Sequence, residues 1–576
     1  MKEKISQLIA EAIQSSQEQN LFSDFVVQGI KVEYPKDKQH GDYAVSTALA
    51  IGKILKRNPL EIAEILKSEV LKSKPDLFEK VEVVKPGFIN FFVSNKYLIE
   101  EIQKVLKEKE KYGSGKDNKT VVVDYSAPNI AKPFGIGHLR STIIGQAIYN
   151  IYNFLGWKCI GDNHLGDWGT QFGKMIVAIK NWVDKDKIKD LTIPELEKLY
   201  IKFHQEAEKR PELEDEARAW FKKLEDGDRE AKNIWQICIG VSLKEFNRIY
   251  DLLNVKIDYA LGESFYEDKM MPIIKEALKK GVAKKSRGAV IIEFEKEKLP
   301  LAIILKSDGA TNYFTRDLAT IRYRLDKWKP DLIIYDVGVE QSLHFKQLFA
   351  TIELLGWMKK NKLVHVAHGL YRSKTGKFST RKGQTIHLES ILIEAIEKAK
   401  TMIESSETGK DLSEKEKESI AKMVGIGAVK YNDLVQHYSR DIIFDWDKIL
   451  NLKGNSGPYL QYTYARCASI LRKADFQKSL KKIGDIEMSS EEKDILREIC
   501  KFPELVQEAA EKLSPNLICS FAFNLAQKYN LFYQTHSVIK AETEELKKFR
   551  LSLTVVTAQL LKSSLSLLGI FVPEKM

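Results

Sequence analysis

The sequence predicts an α/β fold: a parallel sheet covered by helices, with a small α+β module before it and an all-α region after it. Between residues 120 and about 380, β-branched runs alternate with helical segments, which is typical of a parallel sheet whose crossovers are helices. After about residue 385 the strand signals fade, and from Gly457 apolar residues recur at helical spacing. The β-branched runs read VVVDY, KCIGDN, AVIIEF, LAIILK, DLIIYDV and LVHVAHG.

Composition and periodicity divide the chain into four segments. Its 576 residues suffice for three to four domains at roughly 150 residues each. The charged, aperiodic stretch 107–119 reads as a linker, and the charge-dense helical stretch 190–250 reads as an insertion. The predicted segments are 1–110, which is α+β; 111–385, which holds the parallel sheet and the insertion at about 190–250; 386–456, a connecting helical region; and 457–576, which is all-α.

The composition excludes several classes of protein. The five cysteines lie far apart without a C-x-x-C pair, which predicts free thiols in a reducing cytoplasm and no zinc site or other metal site. No apolar run reaches the roughly 18 residues that a membrane span needs, and the acidic residues near the start argue against a leader. We therefore expect a cytoplasmic protein with no membrane contact. The net charge of +11 fits a polyanionic partner, and it equally fits Lys-rich solvated helices.

One motif predicts a nucleotide seat. VVVDYSAPNIAKPFGIGHLRSTIIG (121–145) reads as a strand, a Pro/Gly turn and a helix that begins at about His138. The positive end of that helix and free backbone N–H groups would lie beside Gly135 and Gly137, where a nucleotide can approach bare backbone.

A second motif, SKTGKFSTRKG (373–383), predicts a basic loop that clamps phosphate charge. Together with the nucleotide seat it indicates ATP chemistry. The commoner signatures are absent: the sequence completes no G-x-G-x-x-G, no P-loop and no kinase or hydrolase motif. The cations of the loop are Lys374, Lys377, Arg381 and Lys382.

These segments resemble signatures of the class I aminoacyl-tRNA synthetases: the first resembles HIGH, and KFSTR (377–381) resembles KMSKS. Further stretches of the sequence, spread over nearly the whole chain, are similar to the arginyl-tRNA synthetase family. Gly135 replaces the first histidine of HIGH, and Ala127 stands where some relatives carry a serine. The similar stretches are HGDYAVSTALAI (40–51), KPGFINFF (85–92), SAPNIAKPFGIGHLRSTIIG, NHLGDWGTQFG (163–173), YFTRDLATIRYR (313–324), EQSLHFKQLF (340–349) and GPYLQYTYAR (457–466).

The resemblance implies a Rossmann-like parallel-sheet catalytic domain, an N-terminal module that binds the tRNA elbow and a C-terminal anticodon-binding domain. It implies ATP-dependent activation of L-arginine to arginyl-adenylate with Mg²⁺, and transfer of arginine to the 3′ end of tRNA(Arg). No large extra domain interrupts the pattern, so no editing activity is expected. We also expect a monomer.

The resemblance also places the site residues. A guanidinium presents a fork of donors that carboxylates and planar acceptors satisfy, and Glu263 and Asp317 would face it, with Asp258 as the alternative to Glu263. The loop at 163–173 has an expected structural role, with Asn163 or His164 near the ligand. The implied arginine-binding residues are Asn129, Glu263, Tyr313, Asp317 and Gln341; the ATP-binding residues are Gly135, Gly137, His138, Lys374, Lys377 and Ser379; the catalytic residues are Gly137, His138, Lys377 and Arg381.

For tRNA, the resemblance implies contacts from Asn90 and Phe92, both expected to be exposed or semi-exposed, and from Tyr459, Tyr462 and Arg466. Aromatic side chains stack unpaired bases and cations follow the backbone, although many C-terminal aromatics must form the core of the helical domain.

Two rival hypotheses remain. A non-catalytic RNA-binding relative is supported only by Gly135 in the HIGH-like segment. A different adenylate-forming enzyme on the same sheet leaves the N-terminal module and the helical tail without a role.

Overall fold

The computed structural model describes residues 1–27, 29–373, 376–377, 387–474 and 486–576. The chain opens with an α+β module built on a four-stranded antiparallel sheet in the order β1-β2-β4-β3. Helix α1 packs against α3, and α3 covers the sheet. The elements are α1 (Lys2–Glu18), β1 (Val32–Glu33), β2 (Tyr43–Val45), α2 (Thr47–Leu55), α3 (Pro59–Ser73), β3 (Phe78–Val84), β4 (Phe88–Val93) and α4 (Asn95–Glu108).

The middle of the chain alternates strands and helices, as the sequence predicts. Its elements are β5 (Thr120–Asp124), α5 (Gly137–Phe154), β6 (Lys158–Asp162), α6 (Thr170–Trp182), α7 (Ile193–Lys209), α8 (Glu212–Glu225), α9 (Arg229–Leu253), α10 (Met270–Lys279), β7 (Lys284–Ser286), β8 (Ala289–Phe294), β9 (Leu299–Leu305), α11 (Tyr313–Trp328), β10 (Leu332–Gly338), α12 (Ser342–Leu354), β11 (Leu363–His368), β12 (Tyr371–Ser373) and β13 (Gly376–Lys377).

A parallel sheet of four strands, in the order β11-β10-β5-β6, forms the centre of the molecule. Its strands are runs of buried β-branched residues, as expected where helices cover both faces. This confirms the predicted α/β fold class. Because β5 pairs with β6 on one side and with the later strand β10 on the other, the strand order reverses beside β5. The carboxyl ends of strands at such a reversal form the usual ligand crevice of open parallel sheets.

Two of the predicted strands do not join the parallel sheet. AVIIEF and LAIILK form β8 and β9, which pair antiparallel with each other and with β7 in a separate sheet. Only residues 295–298 connect β8 to β9, and a link of that length makes a hairpin, whereas a parallel pair needs a crossover of a dozen or more residues.

The predicted helical insertion corresponds to α7, α8 and α9, which pack beside α6. The close approach of α6 to α8 depends on Gly173. A Cβ built there would lie 2.0 Å from the Ala217 carbonyl oxygen, so any larger residue would push the two helices apart.

The C-terminal part is helical over its described residues from 457 onward, as predicted. Its elements and those that lead into it are α13 (Leu388–Glu404), α14 (Glu414–Leu434), β14 (Ile442–Ile443), α15 (Trp446–Ile449), α16 (Gly457–Lys473), α17 (Ser490–Ile499), α18 (Phe502–Glu511), α19 (Asn516–Thr535) and α20 (Glu544–Leu567). Among the helices described here, none is both long and apolar enough to cross a membrane.

Two buried basic side chains join the middle part of the chain to the helices that follow. The Arg140 guanidinium on α5 pairs with Asp433 on α14 at 3.2 Å and donates to the carbonyls of Tyr438 and Arg440. The Lys430 amine donates to the carbonyl of Leu253, at the end of α9, and to the carbonyl of Gly569, just beyond α20, both at 2.6 Å.

Candidate functional site

A cavity of about 260 Å³ lies at the carboxyl ends of β5, β6 and β10. All five residues implied for arginine binding line it. Asp258, the alternative to Glu263, does not: its carboxylate accepts a hydrogen bond from the Gly161 N–H at 2.9 Å and pairs with Lys256 at 3.0 Å. The lining residues are Asp124, Ala127, Asn129, His164, Gly166, Glu263, Tyr313, Arg316, Asp317, Tyr335, Val337, Gln341 and Phe345.

The loop after β6 positions Asn129 on one wall. Asn129 forms a parallel β-bridge with Gly166; the Gly166 N–H donates to the Pro128 carbonyl at 3.2 Å, and the Ile130 N–H donates back to Gly166 at 3.1 Å. A Cβ built on Gly166 would lie 2.2 Å from Oδ1 of Asn129. Glycine at 166 therefore leaves the space that the Asn129 amide occupies.

The same loop also positions Glu263 in the cavity lining. The Glu263 N–H donates to the Leu165 carbonyl at 3.0 Å. The Asp167 carboxylate accepts bonds from the Ser264 N–H at 2.8 Å and the Ser264 hydroxyl at 2.6 Å. Burial raises the pKa of Asp167, and the bonds from Ser264 offset part of that increase. The loop after β6 thus bonds to both segments of chain that carry Asn129 and Glu263.

Of the two residues expected near the ligand, His164 lines the cavity and Asn163 lies behind it. The buried Asn163 side chain accepts from the Ala127 N–H at 3.0 Å and donates to the Tyr250 hydroxyl at 2.9 Å. This support matters because Ser126 and Ala127 have φ of +77° and +47°, a region that residues with a Cβ adopt at a cost.

The start of α11 brings Tyr313 and, one turn later, Asp317 to the cavity on one helix face. The Asn312 side chain caps this helix by accepting from the Thr315 N–H at 3.2 Å. Asp317 is therefore not the residue that caps it. Asp317 lies 2.6 Å from Nε2 of His344 and 3.9 Å from Nε2 of His164. Tyr313 is 65% exposed and stands at the mouth.

Glu263 faces a cation of the chain itself. Nη1 of Arg316 lies 3.3 Å from Oε2 of Glu263, and Nη2 lies 2.7 Å from Glu267. Burial raises the pKa of Glu263, while Arg316 acts to lower it. The sequence interpretation missed both Arg316 and His344 as cavity neighbours. For Arg316 a signal existed, since it lies three residues after Tyr313 and therefore near it on a helix.

Helix α5 begins within the HIGH-like segment, at Gly137, one residue before the predicted start at about His138. A Cβ built on Gly137 would meet no atom within 4 Å, so its backbone faces open space. Nδ1 of His138 is buried without a hydrogen-bond partner in the part of the chain that the structure describes, and burial lowers the pKa of its imidazole. A neutral imidazole and the amides of a helix start are suited to bind a nucleotide.

Gly135 is buried and forms a bridge with His387, which follows the KMSKS-like segment. Within that segment, Lys377 belongs to β13, which pairs antiparallel with β12. The other residues implied there, Lys374, Ser379 and Arg381, as well as Lys382, lie outside the described residues.

The residues implied for N-terminal tRNA contacts differ in exposure. The expectation that Asn90 is exposed or semi-exposed is wrong, because Asn90 is only 3% exposed. It lies on β4, between its cross-strand partners Ala44 on β2 and Glu82 on β3, so neighbouring strands flank it on both sides, unlike a residue of an edge strand. Phe92 is half-buried, with the Lys80 ammonium 5.4 Å from its ring centroid.

In the C-terminal helices, the Arg466 guanidinium lies 5.0 Å from the ring centroids of both Tyr462 and Tyr533, a cation–π arrangement. Arg466 also donates to Asn530 at 2.6 Å, and Asn530 donates to the Tyr459 hydroxyl at 2.9 Å. Tyr462 and Tyr533 are 39% and 42% exposed. They border a cavity of about 670 Å³ to which Arg472, Lys473 and Lys540 add positive charge.

Other C-terminal aromatics, such as Tyr529 and Phe532, are fully buried. As expected, they form the core of the helical domain.

Comparison with known proteins agrees with this architecture along the whole chain. Residues 3–93 match the arginyl tRNA synthetase N-terminal domain, residues 101–446 the catalytic domain of class I (R) tRNA synthetases, and residues 460–576 the DALR anticodon binding domain. The chain is 44% identical to the arginine–tRNA ligase of Clostridioides difficile, over 100% of this chain and 98% of that protein.

Solved structures share the fold. The arginyl-tRNA synthetase of Plasmodium falciparum matches with a TM-score of 0.83 at 28% identity, over 100% of this chain and 99% of that one. The arginyl-tRNA synthetase of Thermus thermophilus matches with the same TM-score at 24% identity, over 100% of both chains.

Proposed function

Since the chain belongs to the arginyl-tRNA synthetase family of class I aminoacyl-tRNA synthetases, we propose that it uses ATP to activate L-arginine and joins the arginine to the 3′ end of tRNA(Arg). The observation that carries this proposal is the cavity at the strand-order reversal, whose lining brings two carboxylates, Glu263 and Asp317, together with the side-chain amides of Asn129 and Gln341. Such a lining offers the guanidinium planar, charged acceptors and leaves amides for the amino-acid end of the substrate.

Within the cavity, Glu263 and Asp317 would bind the guanidinium, Asn129 and Gln341 the amino and carboxylate groups, and Tyr313 would cover the ligand at the mouth. A lysine ammonium presents donors without the planar fork and would leave part of this wall unpaired. Polar pockets of this kind discriminate by about 10⁴–10⁵ without proofreading, which supports the proposal that the enzyme has no editing site.

Activation would proceed by attack of the arginine carboxylate on the α-phosphate of ATP, with release of pyrophosphate and formation of arginyl-adenylate. This step needs alignment and charge stabilisation and no side-chain nucleophile. The backbone at Gly135 and Gly137 and the neutral imidazole of His138 would hold the nucleotide, and Lys374, Lys377, Ser379 and Arg381 would hold the phosphates. Mg²⁺ bound with ATP would neutralise phosphate charge.

The transfer step also needs tRNA to be bound by parts of the chain outside the catalytic domain. We propose that the N-terminal module, about residues 1–110, touches the tRNA elbow through the face that bears Phe92, and that residues 386–456 contact the stem. The helical domain, about residues 457–576, would read the anticodon loop, with Tyr462 and Arg466 at its surface and Tyr459 holding Asn530 behind them. A monomer in the cytoplasm is the proposed working form.

One assay tests the core of the proposal: charging of total tRNA with labelled arginine, beside ATP–pyrophosphate exchange measured with and without tRNA. We expect charging with arginine and not with lysine, and exchange that increases when tRNA is present. A folded protein that binds tRNA without charging it would establish the non-catalytic alternative. Arginine-dependent exchange without transfer would favour a different adenylate-forming enzyme.

A further inference from the structure

We propose that Arg316 is a positioning residue of the arginine site, and that its guanidinium holds the Glu263 carboxylate in place and keeps it ionised for the substrate. This inference rests on the proposed function, because it gives Arg316 a role in the cavity that we propose binds L-arginine. In this role Arg316 makes no direct contact with the substrate.

Arg316 lines the cavity and bonds to the turn that contains Glu263. The residue lies on α11 between Tyr313 and Asp317, lines the same cavity, and is 14% exposed. Its guanidinium bridges Glu263 at 3.3 Å and Glu267 at 2.7 Å, which are both residues of the 3-10 turn Glu263–Lys269. One rigid, planar cation therefore fixes the first turn of that segment to the helix that carries Asp317.

The pair uses one oxygen of Glu263 and leaves the other for the ligand. Arg316 bonds to Oε2, and among the described residues no donor reaches Oε1. A carboxylate has lone pairs on both oxygens and can serve two guanidinium groups at once. When L-arginine enters, two guanidinium groups would face the three carboxylates of Glu263, Glu267 and Asp317, so the occupied cavity carries no excess of positive charge.

The charges around Glu263 make this role measurable through pH. Burial raises the pKa of Glu263; Arg316 is the first of the charges that lower it, and His164 also lowers it, whereas Asp317 and Asp167 raise it. Glu267 also pairs with the Arg316 guanidinium, so Glu263 shares that positive charge with it. Without Arg316, burial, Asp317 and Asp167 would still raise the pKa of Glu263, and of these neighbours only His164 would lower it. Glu263 would then take up a proton at a higher pH and lose its attraction for a guanidinium.

The test measures KM and kcat for arginine in tRNA charging, from mildly acidic to mildly alkaline pH, in Arg316→Gln, Arg316→Lys and wild-type enzyme. We expect Arg316→Gln to raise KM by about tenfold or more at neutral pH with a much smaller change in kcat. Its KM should also begin to rise, as the pH falls, at a higher pH than in the wild type. Arg316→Lys keeps the charge but loses the fork, so its KM should be raised while its pH profile follows the wild type.

Two further variants separate charge from packing. Glu267→Gln removes the other partner of Arg316 and keeps the guanidinium, so its pH profile should match the wild type. In a Glu263→Gln background, Arg316→Gln should add little to KM, because the group on which it acts is already neutral.

The inference is overturned if Arg316→Gln shows the wild-type pH profile, or if it raises KM equally with and without Glu263. Should Arg316→Gln fail to fold, Arg316→Lys decides the matter, since an unchanged KM for arginine in that variant overturns the inference too. Failure of the proposed function looks different, because the wild-type enzyme itself would then charge no arginine.

Discussion

Asp167 accepts two hydrogen bonds from Ser264, one from its N–H and one from its hydroxyl, and this fixes the residue that follows Glu263. We expect Asp167→Ala to raise the KM for arginine and to destabilise the protein by about 1–3 kcal/mol, because two partly buried donors of Ser264 lose their acceptor. Steady-state charging kinetics and thermal unfolding check both effects. Ser264→Ala, which removes only the hydroxyl, should show a smaller change in the same direction, and an unchanged KM in Asp167→Ala would contradict this role.

Lys377 is the residue of the KMSKS-like segment that we expect to matter most for adenylate formation. Lys377→Ala should lower ATP–pyrophosphate exchange by about 10²-fold or more, as the loss of one preorganised donor does. Its matched control is Lys362→Ala, which removes an exposed lysine just before β11 and should leave the exchange rate unchanged. A folded Lys377→Ala enzyme with full exchange activity would show that this lysine is an ordinary surface cation.

Tyr533 and Tyr462 flank the Arg466 guanidinium, and we expect their rings to stack on unpaired bases of the tRNA. Tyr533→Ala should weaken tRNA binding by about 1–3 kcal/mol for one stacked base, with the KM for arginine unchanged. Filter binding or tRNA-dependent charging kinetics measure this. Leu531→Ala on the same helix removes a side chain that is 53% exposed, and it should bind tRNA like the wild type. Equal effects of the two substitutions would point to a general disturbance of α19.

Lys430 provides a pH dependence of stability. Burial lowers its pKa to about 7 in the folded chain, compared with about 10.4 in an unfolded one. Between those values the unfolded chain holds a proton that the folded chain has lost, so the free energy of unfolding should rise with pH, by up to about 1.4 kcal/mol per pH unit. The neutral amine has two N–H donors, which match the carbonyls of Leu253 and Gly569.

This prediction is checked by thermal unfolding from neutral to alkaline pH. In Lys430→Met the increase in stability over that range should be smaller than in the wild type. In Lys422→Met, which removes an exposed lysine of the same helix, it should be retained. Parallel curves for the wild type and Lys430→Met would contradict the assignment.

The sequence predicts the parallel strands well, because runs such as VVVDY and LIIYDV are apolar on both faces of a strand, which is typical of a sheet that helices cover on both sides. It does not distinguish β8 and β9 from those strands, since an apolar run carries no information about the direction of its partner. The burial of Asn90 was also beyond prediction, because it depends on strands pairing on both sides of β4. The cavity residues came from family resemblance, and the Arg316–Glu263 pair joins positions 53 residues apart in sequence, which no local pattern reveals.

The bonds of Arg140 restrict how this chain can change over evolutionary time. Its side chain is 1% exposed and its partner Asp433 is fully buried. Removing one member of such a pair leaves a buried charge without its partner and costs about 3–5 kcal/mol. Neither residue can be exchanged alone without a loss comparable to the whole stability of many domains. Descendants of this sequence should therefore keep both residues or replace both together, so that the start of α5 and the end of α14 are inherited as a single unit.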